Sequence, residues 1–547
     1  MTSRLVAGTS RLAEGVAAHK DSLKAALIGG VRVVDTAASY GGGSSERVVG
    51  RVLDSLPGSV KKDIIIVSKF GYHFSSGGGA AAEGGAAPPR VEHSMHPAFM
   101  REELAASTAR LGRPPDFFLL DSPERALQPL VEKRNRAVRA VAEAKAEAAD
   151  GPVSSAAGGA RNHFLPEELA VPAPKTGPEA VAAARAAAAT AESELASAQE
   201  GLEESLALTL EALEEEVGAG RLRRGYGVTS DALALAKDDP LFLDWRTVVE
   251  LAPSRRSKQA SGGALGGRTR AGLVLQMPAN VLEPRGALVA AEVAAAGRGA
   301  VVMGTRPLTA VLPLRLNQSG LLSASPNNTA SQSGVVGGAL DGEAFATSTW
   351  QRLTDFDPTS CGSFGDPLGA DGYMTACQRA LEHFEPPALP ETASEEEAEV
   401  VEACRWLTQL LSDLNGSLVH FASVAQYEAE LSGSIMPLLD AKFDELDETS
   451  AQVLTTFFAQ YHGMVRYHAA TQIRERFYAA LGAEAGAAEA GAAGGVLARD
   501  ALDWALRQQG LAGGVVVGLT AARHAETALE VARACKTMGG GLLTLAR

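Results

Sequence analysis

Cysteine is scarce in this chain: Cys361, Cys377, Cys404 and Cys535 are the only four in 547 residues. They show neither metal-ligand spacing nor disulfide density, so no metal is expected and a reducing compartment is indicated. Long apolar runs are missing too. None approaches the ~18 residues of a membrane span, so no membrane partner is expected. Positive charge is in deficit, with 50 Lys plus Arg against 65 Asp plus Glu and a formal charge of −15. That balance argues against nucleic acid or an anionic membrane as the main partner, while leaving room for one local basic pocket that holds a phosphate. The first strand begins by about Leu5, which leaves no room for a signal or transit peptide. A cytoplasmic location is the expectation, or an organellar one if a leader precedes Met1. No Gly-rich dinucleotide fingerprint of the Rossmann type occurs.

What the chain does contain is a series of short Val/Ile/Leu-rich runs, each stopping on a polar residue. The stops are Asp35, Lys69, Asp121, Ser230, Gln276, Arg306 and Thr520, and a shorter run from Leu5 to Thr9 comes first. Strands of a parallel sheet are buried on both faces and read as continuous apolar runs. Polar residues gathered at their carboxyl ends mark the catalytic face of a (β/α)8 TIM barrel, an α/β fold.

Local signals fit that alternation. GGGSSERVVGRVLDSL (Gly41 to Leu56) supplies flexible glycines, then a Ser cap with Glu46 in the first helical turn. Ser75 to Pro89 is Gly/Ala/Pro-rich and expected to be mobile. HPAFMREELAASTARLG reads as an amphipathic helix with Phe99, Leu104, Ala105, Thr108 and Leu111 on one face.

Two stretches interrupt the rhythm. Residues 127–200 are Ala/Glu/Arg-rich with a Gly/Ser/Pro patch from Gly151 to Pro178. They read as two polar helices and a poorly ordered link, because aromatic and β-branched residues for a core are lacking. Residues 309–495 begin as a Ser/Gly/Asn-rich loop to about Asp371 and continue as helices. Val400, Val401, Cys404, Leu407, Leu411 and Leu414 keep a 3.6-residue period, as do Val453, Leu454, Phe457, Phe458, Tyr461 and Val465. A helical subdomain is expected there, with the 372–480 segment a candidate self-association surface. Barrel sequence then occupies 1–126, 201–308 and 496–547, about 286 residues against the ~250 of a typical barrel. Both interruptions leave the chain just after a strand, which places them on the active-site face as tolerated expansions, lids or contact surfaces.

GVRVVDTAASYGGGSSERVVG, IIIVSKFG, DFFLLDSPE, GYGVTS, LQMPAN and GTRPL, in this order, resemble the aldo-keto reductase superfamily. The resemblance implies transfer of hydride between a nicotinamide cofactor, NADP or NAD, and a small-molecule carbonyl or alcohol. It assigns Tyr40 as general acid, Lys69 as its electrostatic partner and Asp35 as the carboxylate orienting Lys69. The chemistry is coherent: a phenol with an ordinary pKa of ~10 needs a neighbouring cation to give and recover its proton near neutrality. Taken singly, Asp35 would cap a loop and Lys69 would be a snorkelling rim lysine. The three in register favour the catalytic set.

Asp121 departs from the pattern, which has His at this strand end. An ionised Asp121 would raise the pKa of Tyr40 and repel an alkoxide. A protonated one could donate to a carbonyl, as in relatives with Glu here, and either form could bind a sugar or polyol hydroxyl. Drift in a weakened catalyst is the remaining alternative. His73, His93 and His96 read as exposed loop histidines.

For the cofactor, the resemblance implies Gly8, Thr9 and Asp35 at the first two strand ends, and Thr229, Ser230 and Gln276 at the nicotinamide carboxamide. Gly304, Thr305, Arg306, Pro307 and Leu308 would follow the pyrophosphate. Gly518, Thr520, Arg523 and Glu526 would take the adenosine end, with Arg523 available to a 2′-phosphate and the helix N-terminus to an anion. Asn280 reads as a turn residue. Val302 and Met303 provide no stacking aromatic, and Thr520 stands where many relatives carry a basic residue. The alternative is a nucleotide-binding barrel with weak or lost catalysis that acts as a sensor or assembly protein through its insertions.

Overall fold

The computed structural model describes residues 4–75, 90–149, 178–253, 272–312, 349–352, 372–388, 394–418, 421, 424–443, 446–481 and 495–535. Eight parallel strands close a barrel: β1 Leu5–Gly8, β2 Val33–Asp35, β3 Ile65–Phe70, β4 Phe117–Asp121, β5 Gly225–Thr229, β6 Gly272–Pro278, β7 Ala300–Thr305 and β8 Gly514–Gly518. Each pairs with its sequence neighbour, and β8 returns to β1 with Gly8 opposite Gly518. The expected (β/α)8 architecture is therefore the one found.

The barrel is a packed core. Val6, Val33, Ile65, Val67, Phe117, Leu119, Val274 and Met303 fill its interior. A larger apolar layer joins the outside of the strands to the helices, with Leu23, Leu27, Val48, Val52, Leu104, Leu206, Leu210, Val293, Leu506 and Leu529 among its members. This two-sided burial is why the strands lack hydrophobic alternation.

Two local expectations need correction. The helix Ser44–Asp54 is preceded by Gly43 at its N-cap, without a side-chain cap. Gly41, Gly42 and Gly43 take φ of 58°, 58° and 80°, a left-handed run that residues with a Cβ resist. Ser44 Oγ instead accepts from the Glu14 amide at 3.1 Å. In the helix Pro97–Leu111 the buried face is Met100, Leu104, Ser107 and Leu111, with Ala105 exposed. Thr108 turns its hydroxyl back to the Leu104 carbonyl, 2.8 Å away.

The Ala-rich stretch supplies the helix Gln128–Ala149 and the first half of the helix Pro178–Gly218. The latter is continuous, running from the insertion into the barrel's helical layer. Leu127, Val131, Leu195, Leu202 and Leu241 form a small apolar cluster where the two helices meet. Four leucines and one valine suffice for this seam. The patch at 151–177 and the segment 76–89 lie outside the described residues.

The helices Tyr373–His383, Glu395–Ser417, Val424–Glu430 and Glu448–Ala480 share a second core built on Tyr373, Leu407, Leu411, Tyr427, Phe457 and Tyr461. Val400 lies off this face and is exposed. The far end of Glu448–Ala480 packs Phe477 and Tyr478 against Val281 and Ala501, with Leu308 alongside. The helical segment is thereby anchored to loops that follow β6 and β7. Among the described residues no helix is long and apolar enough to cross a membrane.

Candidate active site

Register sets the site. Asp35 ends β2, Lys69 lies one residue before the end of β3, Asp121 ends β4, and Thr229 pairs with both Asp121 and Gln276. All of these side chains belong to the carboxyl-terminal mouth.

Lys69 is 3% exposed and Asp35 2%. The Lys69 Nζ donates to Asp35 Oδ2 at 2.7 Å, to the Thr36 carbonyl at 2.9 Å and to the Tyr40 hydroxyl oxygen at 3.1 Å. An ammonium has three protons, so its donors are all directed. Asp35 Oδ1 accepts from Gln276 Nε2 at 2.7 Å. Burial alone would lower the pKa of Lys69, but Asp35, supported by Tyr40 and Asp121, holds it above its ordinary value. Burial pushes Tyr40 up to about 12, with Lys69 opposing and Asp35 and Asp121 reinforcing the rise. Tyr40 is thus protonated near neutrality, and the ammonium on its oxygen leaves the O–H proton for another acceptor.

Asp121 is half-buried at the end of β4, and Ser122 Oγ donates to its Oδ1 at 2.9 Å. Burial raises its pKa to about 6, against the pull of Lys69 and the Ser122 bond. Ser122 has φ of 50° and Arg306 has φ of 54°, the two non-glycine left-handed residues among those described. Both stand directly after strand ends at the mouth, where backbone strain commonly marks a functional site.

Three groups here escaped the sequence reading. His93 is not a free loop histidine. A hairpin, Tyr72–Ser75 with Arg90–His93, folds over the end of β3 and brings His93 Nε2 within 2.7 Å of the Asp121 carbonyl. Gly71, at φ 135°, makes this possible, because a Cβ there would lie 2.8 Å from that carbonyl oxygen. Burial lowers the pKa of His93, with the carbonyl bond opposing. His96, exposed as expected, caps the helix Pro97–Leu111. Glu124 is 1% exposed, accepts from Ser230 Oγ at 2.7 Å, and keeps its Oε1 buried without a partner. Burial pushes its carboxyl up to about 8. Glu283 and Asp231 flank Arg306 at 3.2 Å and 3.3 Å. The signal for Glu124 was available as a carboxylate three residues past Asp121, but its burial was not.

Several residues assigned to the cofactor by resemblance have work within the fold. Thr9 is buried, donates to the Asp35 carbonyl at 2.9 Å and receives Ser45 Oγ at 2.6 Å. Ser230 caps the short turn Asp231–Ala234 while bonding Glu124. Leu308 packs between two apolar clusters, Pro307 is buried, and Gly304 lies close to Leu511. Thr305 is half-buried opposite Pro278. Asn280 accepts from the Leu282 and Glu283 amides, as a turn residue should.

The β8 end is different in kind. Gly518 is exposed, with no atom within 4 Å of where a Cβ would sit. The helix Ala522–Ala534 begins without a side-chain cap, and Arg523 and Glu526 are exposed on its first turns. Uncapped amides at a helix N-terminus attract an anion. Thr520 sits beside His524, 3.3 Å between Oγ1 and Nδ1. These residues fit the phosphate-bearing end of a dinucleotide.

Residues 4–224 match the model of the Aldo/keto reductase family. No curated protein matches the chain. Among solved structures it is similar to a glycerol dehydrogenase from Gluconobacter oxydans, at 12% identity over 97% of this chain and 86% of that one, with a TM-score of 0.37. An aldo/keto reductase from Klebsiella pneumoniae, solved with NADP and acetate, shows 19% identity over 56% and 65%, with a TM-score of 0.27. An aldo-keto reductase from Bacillus halodurans in its holo form shows 13% identity over 83% and 92%, with a TM-score of 0.30. The family match runs through β1 to β4, and the later strands complete the closed eight-stranded barrel around it.

Proposed function

We propose that the protein is an NADPH-dependent reductase of carbonyl compounds, working in reverse on alcohols, with Tyr40 as general acid. The observation that carries this reading is the convergence of phenol, ammonium and carboxylate: Tyr40 to Lys69 at 3.1 Å and Lys69 to Asp35 at 2.7 Å. A bound nicotinamide supplies the hydride. Tyr40 delivers its proton to the oxygen on which negative charge develops, and Lys69 stabilises the phenolate left behind. Asp35 keeps Lys69 charged and aimed, and Gln276 holds the other Asp35 oxygen in place. The exposed Gly518, the uncapped helix behind it and Arg523 support a dinucleotide with a 2′-phosphate.

The test is fluorescence titration with NADPH and NADH, followed by NADPH oxidation over a carbonyl panel. Tyr40→Phe should lower turnover by about 10²-fold or more, the scale of positioned acid catalysis, and leave NADPH affinity within about threefold. Intact turnover in the Phe variant removes Tyr40 as the acid.

A further inference from the structure

Charge at the mouth beside Tyr40 is lopsided. Asp121 ends β4, Asp231 follows β5 and Glu283 follows β6. Two cations serve this arc. Lys69 is committed to Asp35, Thr36 and Tyr40, and Arg306 is shared by Asp231 and Glu283. Arg125 lies toward the hairpin, where its charge acts on Tyr72 and His93. Among the described residues Asp121 makes no ion pair, yet it is part-exposed and close enough for its charge to act on both Tyr40 and Lys69. Behind it, the buried Glu124 keeps one oxygen without a partner. The reacting face therefore offers strong hydrogen-bond acceptors, and among the described residues no ion pair neutralises Asp121.

We propose that the subsite between Tyr40 and Asp121 takes uncharged hydroxy-aldehydes and hydroxy-ketones and turns away carbonyl compounds that carry a carboxylate or phosphate. The inference rests on the reductase reading above. A hydroxyl next to the reacting carbonyl donates to the Asp121 carboxylate, a charge-assisted bond roughly twice as strong as a neutral one. A substrate anion ~6 Å from Asp121, at an effective dielectric constant of about 20, is disfavoured on the order of 100-fold.

The experiment uses the full chain with NADPH at pH 7.5 and three carbonyls: glyceraldehyde, propanal and succinic semialdehyde. The expected order in kcat/KM is glyceraldehyde above propanal by about tenfold and above succinic semialdehyde by about 100-fold. Asp121→Asn keeps a hydrogen-bonding side chain and removes the charge, so succinic semialdehyde should gain about tenfold or more relative to glyceraldehyde. Asp121→Ala removes both, and the preference for glyceraldehyde over propanal should vanish. Equal use of the charged and uncharged substrates by the natural chain, or an unchanged ratio in the Asn variant, overturns the proposal. A chain that binds NADPH but does not reduce glyceraldehyde overturns the substrate class alone. A chain that binds neither NADPH nor NADH removes the reductase reading as well.

Discussion

Glu124→Gln should make the protein more stable, and more so as the pH rises. The Glu124 carboxyl is 1% exposed, has one hydrogen bond from Ser230, and leaves Oε1 without a partner. Burial raises its pKa from an ordinary 4.5 to about 8, with Asp231 and Asp121 adding to the rise. In the unfolded chain the group ionises at the lower value, so between the two values the folded state binds more protons. Stability must therefore fall with rising pH across that window and level off above about pH 8. One pKa unit is ~1.4 kcal/mol, which puts the cost of keeping Glu124 buried at roughly 3 kcal/mol at pH 7 and nearly 5 at pH 9. Gln preserves the shape and an acceptor for Ser230 and carries no proton to lose. Urea unfolding of both chains, followed by circular dichroism from pH 5 to 9, measures the difference directly. The two stability curves should nearly meet at pH 5 and separate steadily above it. Parallel curves over the whole range would refute the assignment of Glu124 as a buried, reluctantly ionised acid.

Two further outcomes follow from the same mouth. Lys69→Ala leaves Asp35 buried with only Gln276 beside it, and an uncompensated buried charge costs about 3–5 kcal/mol; a urea-derived loss below 1 kcal/mol would mean that Asp35 is rehydrated or protonated instead. Reduction should slow as pH rises through about 6, where Asp121 ionises and begins to oppose the developing alkoxide. Asp121→Asn should flatten that limb of the kcat/KM profile, and persistence of the limb in the Asn variant would assign it to another group.

Legibility followed the physics of each element. The barrel could be read because strands buried on both faces announce themselves as apolar runs, and their polar stops fall at the mouth by construction. The Asp35, Tyr40 and Lys69 set could be read because the resemblance that carries it lies in two strand–loop units that are short in sequence. The Ser44 cap failed because three left-handed glycines closed the turn before any hydroxyl was needed. His93 failed because its place depends on a hairpin whose register sets Tyr72 opposite His93 across the segment 76–89. The helix Pro97–Leu111 was found, but its buried face turned toward Met100 and Ser107, because the barrel and its neighbours decide which stripe is covered.

By itself the sequence determined the alternation of strands and helices and the polar residues, Asp35, Lys69 and Asp121 among them, that end the strands. These are consequences of periodicity, whereas the roles given to Tyr40, Lys69 and Asp35 come from the family resemblance. Only the tertiary structure decided that Glu124 is buried against Ser230, that Arg306 is shared by Asp231 and Glu283, and that Asp121 makes no ion pair among the described residues. Electrostatic partnership depends on distances across the mouth between loops far apart in the chain, and on how much water each group retains. Neither quantity exists until the barrel has closed.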